Sequence, residues 1–304
     1  MITWRKRFAA HHRREPFSLV LQGRIDDSVI GHAQNALKYS DDVIVSTWFT
    51  DTYSELALHE TLRELGVRVV LSRDPGSFLS YEEAGIKKTL NVNRQLRGIS
   101  AGARVARYRY TIKARADLSI NYAAFFARWM SSGRRFASLN ITSVAPRRLF
   151  SPPFLFHISD WCVGAETVDF RNQYQKEIDE STLNRSVTYE MNGARWNVRL
   201  SAEQILACIL TGENELIEGQ NQLLLDDYSD IDWSRDRRIK SKFANIDRDG
   251  LAFFSSKYKA RATRWIMHRD LLFRDDRILT MRMEQLAVHL LARTLSLIRR
   301  YRDN

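Results

Sequence analysis

The chain has 304 residues, 44% of them hydrophobic, with 47 Lys and Arg against 36 Asp and Glu, for a formal charge of +11. That size suits one large domain or two modest ones, and the charge points to an anionic partner: a nucleotide, nucleic acid, an acidic glycan or a membrane surface. Two distant cysteines argue against a disulfide framework or a structural zinc, and no apolar run approaches the roughly 20 residues of a membrane span.

The basic start, Arg5-Lys6-Arg7, lacks the apolar stretch of a secretory signal, so a cytoplasmic protein, soluble or peripheral, is expected. Phe17 to Leu21 is a near-continuous apolar run, as expected of a parallel strand covered on both faces, and it stops at Gln22-Gly23. Ser28 is an acceptable N-cap for a helix on which Ile30, Ala33 and Leu37 share a face. Val43-Ile44-Val45 is the next strand, ending at Ser46-Thr47-Trp48. Ser54 opens a second helix through Leu58, Leu62 and Leu65, which Gly66 closes. Val67 to Leu71 is a third strand, followed by Arg73-Asp74-Pro75-Gly76, a turn signal preceded by a carboxylate.

The next unit organises the rest. Val92, Leu96, Ile99, Ala103 and Ala106 recur at helical spacing, and the polar Asn93, Arg94 and Gln95 sit at that helix's start. Tyr108, Tyr110 and Ile112 then alternate with Arg109 and Thr111, and the strand is expected to run out at Lys113-Ala114-Arg115-Ala116-Asp117. Strands alternating with helices imply right-handed crossovers and a parallel α/β sheet, whose strand-end loops should converge on one edge. Ligands bind at that edge in open α/β sheets. No GxGxxG or GxxxxGK[ST] occurs, which argues against a dinucleotide enzyme and a P-loop NTPase.

Phe136 to Thr142 reads as a further strand. Pro146, Pro152 and Pro153 punctuate a loop leading to Phe156-His157-Ile158-Ser159-Asp160-Trp161, and Gln173 to Met191 is polar and weakly periodic. Ser201-Ala202-Glu203-Gln204 opens an apolar helix through Ile205, Leu206, Ile209 and Leu210; Leu216 to Asp236 is acidic and irregular. From Ser255 to Asn304 there are twelve Lys and Arg against five Asp and Glu. Leu286, Leu290, Leu297, Ile298 and Tyr301 suggest a terminal helix flanked by Arg293, Arg299 and Arg302. Packing of its stripe on the body is the favoured reading, and contact with anionic lipid the second.

In order, Leu21-Gln22-Gly23, Ser46-Thr47-Trp48, Asp74-Pro75-Gly76, Asn93-Arg94-Gln95, Lys113-Ala114-Arg115-Ala116-Asp117, His157-Ile158-Ser159-Asp160-Trp161 and Glu203-Gln204 resemble the bacterial WavE-type lipopolysaccharide synthesis family, over residues 17–210. The resemblance implies a GT-A-like, Rossmann-like glycosyltransferase with a mostly parallel central sheet flanked by helices. Such an enzyme moves a sugar from a nucleotide-sugar donor to a glycan or lipid-linked glycan acceptor. Residues 1–16 would be a basic arm, 17–250 the transferase domain and 251–304 a basic helical extension packed on it.

The resemblance also implies positions. Gln22, Gly23, Thr47, Trp48, Asp74, Asn93, Arg94, Lys113, Arg115 and Asp117 would bind the donor, and His157, Ser159 and Trp161 the acceptor. Where many GT-A enzymes carry DxD, this chain has Arg115-Ala116-Asp117, so one carboxylate is replaced by a cation. Asp117 with phosphate oxygens and waters could hold Mg²⁺ or Mn²⁺, or Arg115 could neutralise the diphosphate itself. Alternatively, Asp117 is an exposed carboxylate paired with Arg115.

For the base of an inverting transfer, favoured over retention, Glu203 and Asp160 compete. Ser201 with Gln204 also reads as a capping box, which would make Glu203 a first-turn acid without chemistry. His157 could equally be structural, and Trp48 and Trp161 could stack on a ligand or pack in the core. Two other functions compete: a nucleotidyltransferase on a related sheet, and a basic nucleic-acid-binding protein. Against the latter, acidic residues interrupt the basic ones and no helix-turn-helix, RRM or zinc-finger signature occurs, so no nucleic-acid partner is expected.

Overall fold

The computed structural model describes residues 15–49, 52–83, 86–139, 142–144, 154–175, 177–178, 187–191, 194–198, 202–214, 233–247, 251–252 and 254–255. The basic N-terminal arm and the expected terminal helix lie outside these residues.

The chain begins with β1 (Phe17–Gln22), α1 (Ser28–Leu37), β2 (Val43–Trp48), α2 (Tyr53–Glu64) and β3 (Arg68–Ser72), as the apolar runs require. A hairpin of β4 (Phe78–Glu83) and β5 (Ile86–Leu90) precedes α3 (Val92–Val105), β6 (Tyr110–Arg115), β7 (Leu118–Ser119) and α4 (Tyr122–Ser132). The next elements are β8 (Phe136–Leu139), β9 (Thr142–Val144), β10 (Phe154–His157), β11 (Cys162–Glu166) and α5 (Thr167–Gln173). The last are β12 (Val187–Met191), β13 (Ala194–Val198), α6 (Ala202–Thr211), α7 (Trp233–Ser241), β14 (Phe243–Ile246) and β15 (Phe254–Ser255).

Seven strands form one sheet in the order β14-β8-β11-β6-β1-β2-β3. The four strands β6, β1, β2 and β3 are parallel neighbours. Strand β11 runs antiparallel to both β6 and β8. Every residue of β1 is buried, because both faces of the sheet are covered. One face packs α1, α2 and α4 against Leu19, Leu21, Val45, Ile112 and Ala114. On the other face α3, α5 and α6 meet Val163 and Ala165. Helix α3 approaches β1 closely: a Cβ on Gly102 would stand 2.4 Å from a Val20 methyl carbon, and one on Gly98 would stand 2.7 Å from Gln22 Cγ. Only glycine permits that spacing.

Three details differ from the expected elements. Strand β6 does not run out before Lys113 but continues to Arg115, because Lys113 lies between Val20 of β1 and Val163 of β11 in the ladder. Its ammonium is buried and satisfied in part by the Asp160 carbonyl. The expected strand over Phe136 to Thr142 is two elements, β8 in the main sheet and β9 paired with β10. Ser28 is the first residue of α1 rather than its cap; its N–H donates to the Asp26 carboxylate at 2.9 Å.

The described residues past 250 belong to this body. Leu251 is buried in the core and β15 pairs with β7. Cys162 and Cys208 are free and buried, and burial pushes both thiols above their ordinary range. Among the described residues no helix is long and apolar enough to cross a membrane.

Candidate functional site

Parallel strands that start level end level. Gln22 of β1 is in register with Ser46 of β2 and Arg115 of β6, so three strand ends open onto one edge of the sheet. An antiparallel neighbour enters where they leave, and β11 therefore carries Asp160 and Trp161 to the same edge, with the Arg115 N–H donating to the Trp161 carbonyl at 3.0 Å. A cavity of about 930 Å³ lies there, within the range of ligand sites.

The uncharged lining includes Gln22, Thr47, Trp48 and Gln95. The Gln22 amide donates to the Arg94 carbonyl at 3.3 Å, fixing its side chain against α3. The Gln95 amide oxygen is buried without a hydrogen-bond partner. Gly23, also in the wall, has φ of +136°, a backbone conformation that other residues rarely adopt.

The part built on β6 is ionic. The Arg115 guanidinium grips Asp117 with two prongs, Nε at 2.9 Å and Nη2 at 3.0 Å, and its Nη1 stands 3.5 Å from the Asp160 carboxylate. Lys113 shares Arg115's side of the strand. Burial is the largest influence on the Lys113 ammonium and pulls its pKa below the ordinary value, while Asp160 and Glu203 act in the opposite direction. At the rim, Arg94 clasps Asp74 and Arg24 lies 3.7 Å from Glu55.

In all, Arg24, Arg94, Lys113 and Arg115 face Asp26, Asp27, Glu55, Asp74, Asp117 and Asp160, an excess of acid in a chain of formal charge +11. The surplus positive charge therefore lies elsewhere. Both Asp117 oxygens are engaged by Arg115, and among the described residues no three His, Cys, Asp or Glu side chains converge on a point. A divalent ion about 4 Å from Asp117 and from Arg115 would gain and lose on the order of 8 kcal/mol at an effective dielectric of about 20, so the two cancel. A divalent ion on Asp117 would have to share its oxygens with Arg115 and draw its other ligands from phosphate oxygens, waters or Asp160.

The profile of the family described as WavE lipopolysaccharide synthesis matches residues 38–215, more than half of the chain. The chain belongs to the WavE family. No curated protein matches it. The WavE match contains the cavity residues from Thr47 to Asp160, and Gln22 and Gly23 precede it.

Of the donor residues expected in this WavE chain, the cavity gathers Gln22, Gly23, Thr47, Trp48, Asp74, Arg94, Lys113, Arg115 and Asp117, together with Asp160. Asn93 faces away: its amide donates to the Ile178 carbonyl at 3.1 Å and accepts from the Ile178 N–H at 2.9 Å. Ser159 bonds Ser138, its N–H donating to that hydroxyl at 3.0 Å, and Trp161 packs on the core. Glu203 stands in the first turn of α6, outside the wall but near enough for its charge to act on Lys113. His157 ends β10, and its side chain lies outside what is described. The wall also contains residues the sequence reading passed over, among them Asp26, Phe49 and Glu55. The signal was available for Phe49, the residue after β2 on the edge where strand ends meet.

Proposed function

We propose that the chain is a glycosyltransferase that moves a sugar from a nucleotide-sugar donor to a glycan acceptor in lipopolysaccharide, O-antigen or capsular polysaccharide synthesis. One observation carries the reading: a single cavity at the carboxyl edge of parallel strands is lined by the amides of Gln22 and Gln95 and the Trp48 ring together with the charged Lys113, Arg115, Asp117 and Asp160. A nucleotide sugar offers an uncharged base and a charged diphosphate to such a lining. Membership of a family named for lipopolysaccharide synthesis supports the substrate class. The parallel α/β sheet with its site at that edge agrees with a GT-A-like transferase.

In this reading Arg115, held in place by Asp117, meets the diphosphate with charge-assisted hydrogen bonds. An acceptor hydroxyl oxygen forms a bond to the anomeric carbon as the bond from that carbon to the diphosphate oxygen breaks, and the bonding pair leaves with the phosphate. Arg115 and Lys113 stabilise the charge that develops there. The acceptor proton passes to a carboxylate: Asp160, which lines the cavity, or Glu203 behind Lys113. The protein would work on the cytoplasmic face of the membrane, on a lipid-linked acceptor.

The test is thermal melting of the full chain with UDP, GDP, CMP and their sugars, with and without Mg²⁺ or Mn²⁺, followed by detection of the released nucleotide and the glycosylated acceptor. A ligand at about 100 times its dissociation constant stabilises by roughly 2.7 kcal/mol. Stabilisation by one nucleotide class, lost in Asp117→Ala and Arg115→Ala, is expected. No response to any nucleotide, with a response to a polyanion, would sink the reading in favour of a nucleic-acid-binding protein.

A further inference from the structure

The strands that end at the cavity start at the opposite edge of the sheet, where the exposed charge has the other sign. Arg107 and Arg109 lead into β6, and Arg134 and Arg135 into β8, which runs the same way because β11 is antiparallel to both. Helix α3 returns to this edge and ends in the exposed Arg104 and Val105. Helix α5 starts there with the exposed Val168, and its Arg171 ties the two helices by donating to the Ala103 and Ala106 carbonyls at 2.7 and 2.8 Å.

The carboxylates of this edge lie beneath its arginines. The side chains of Arg107 and Arg135 are 59% and 65% exposed, whereas their partners Asp42 and Asp169 are 0% and 8% exposed. Of the carboxylates that do reach the surface, Asp41 is bonded by the Tyr108 hydroxyl and Glu166 by Arg109, and Glu15 precedes β1. An approaching body therefore meets guanidinium groups first, while the cavity at the other edge has an excess of acid. Strand β1 also starts here, so the segment containing Arg5, Lys6, Arg7, Arg13 and Arg14 joins the body at this edge.

We propose that this basic edge is a docking surface for a bilayer containing anionic phospholipid. The choice of lipid rests on the transferase reading above, whose acceptor is lipid-linked. Phospholipid headgroups supply the negative charge, and Val105 and Val168 stand among the arginines to meet the apolar side of the interface. A polynucleotide fits less well: among the described residues, none of the exposed aromatic rings, Phe49, Tyr53 and Phe254, lies on this edge to stack on a base. The six residues of β6 then hold the cavity about 20 Å above the headgroups, within reach of the growing end of an acceptor glycan rather than its lipid.

The experiment is co-sedimentation of the full chain, without nucleotide, with vesicles of phosphatidylglycerol and phosphatidylcholine in a ratio of roughly 1:2, and with phosphatidylcholine alone. Two double variants lose the same charge at opposite edges: Arg104→Gln with Arg109→Gln at the basic edge, and Arg24→Gln with Arg73→Gln at the cavity edge. All four arginines are exposed, so the three proteins should melt alike. Salt-sensitive binding to the anionic vesicles alone, about 10- to 30-fold weaker in the first variant and within about twofold of wild type in the second, is the expected result. Equal weakening in both variants overturns the proposal, because net charge would then account for binding. Binding that the first variant leaves unchanged overturns it too, as does a wild type that ignores anionic vesicles or binds only a polynucleotide. A protein that binds vesicles through this edge but no nucleotide sinks the donor reading alone.

Discussion

Asp74 and Arg94 lie on either side of the β4–β5 hairpin and clasp each other across its base. Arg94 Nε donates to one Asp74 carboxylate oxygen at 2.8 Å and Nη2 to the other at 2.6 Å. Asp74 also accepts from the Gly76 N–H at 2.9 Å. The Arg94 bonds foremost, aided by the Gly76 N–H, hold the Asp74 carboxyl below its ordinary pKa, while burial, the next largest influence, acts against them.

A carboxyl with a lowered folded-state pKa contributes stability that is complete above its unfolded value, about 4, and is lost as the pH falls through the folded value. Both side chains are about a third exposed, so screening limits the pair to about 1 kcal/mol or less. A double-mutant cycle of Asp74→Asn and Arg94→Met, by urea denaturation, is expected to give that coupling at neutral pH and low salt. It should shrink in high salt and weaken as the pH falls below about 4. Coupling indifferent to both salt and acid would contradict the ion pair.

The two glycines of α3 answer differently to a methyl group. In Gly102→Ala the new carbon would stand 2.4 Å from a methyl of Val20, a branched residue fixed in a central strand, and nothing there can give way. In Gly98→Ala it would meet Gln22, whose side chain can swing at the expense of its bond to the Arg94 carbonyl. Overpacking costs about 1–3 kcal/mol, partly offset by alanine's better helix propensity of up to about 1 kcal/mol. Gly102→Ala should therefore lose more stability, whereas Gly98→Ala should lose more nucleotide affinity. Denaturation midpoints and binding isotherms of the two variants check the ordering.

These contrasts show what a linear reading can reach. The parallel half was legible because strands buried on both faces become continuous apolar runs, such as Leu19-Val20-Leu21 and Val43-Ile44-Val45. Strand β11 was not, since Cys162-Val163-Gly164-Ala165 is short and contains a glycine that is required only because the Trp129 ring stands 2.7 Å from where a Cβ would be. Lys113 read as a strand end because a charge rarely sits inside a buried strand. Asn93 and Arg94 are adjacent in sequence, yet successive helical residues point about 100° apart, so one meets Ile178 and the other the cavity. The unpartnered oxygen of Gln95 belongs to three-dimensional packing and leaves no trace in the chain's pattern.

His59 of α2 makes stability pH-dependent in the neutral range. It is 1% exposed, and neither ring nitrogen has a hydrogen-bond partner. Burial, chiefly, and then Arg63 lower its pKa from the ordinary 6.5, while Glu55 opposes them. A base with a lowered folded-state pKa binds fewer protons folded than unfolded. Stability is therefore complete above pH 6.5 and declines as pH falls through the folded value. His59→Phe removes both the titration and the unpartnered nitrogens. It is expected to raise stability by about 1–3 kcal/mol and to flatten the decline between pH 7 and 5 in thermal melts. An unchanged decline would assign it to another group.

Phe49 offers the reverse case, a side chain that the fold does not need. It is 67% exposed at the cavity wall immediately after β2, with Tyr53 and Leu56 also exposed on the helix that follows. An exposed aromatic ring contributes little to the free protein, so Phe49→Ser should leave stability within about 0.5 kcal/mol of wild type. A planar base or sugar face entering the cavity would cover the ring, and such contacts are worth about 0.5–1.5 kcal/mol. The expected result is a dissociation constant for the bound nucleotide sugar about 2- to 10-fold higher with an unchanged melting temperature. Calorimetric titration of both proteins decides it. Equal affinities would place Phe49 outside the donor's contacts, leaving the acceptor as what the exposed ring awaits, and the Michaelis constant for the acceptor would then be the quantity to rise.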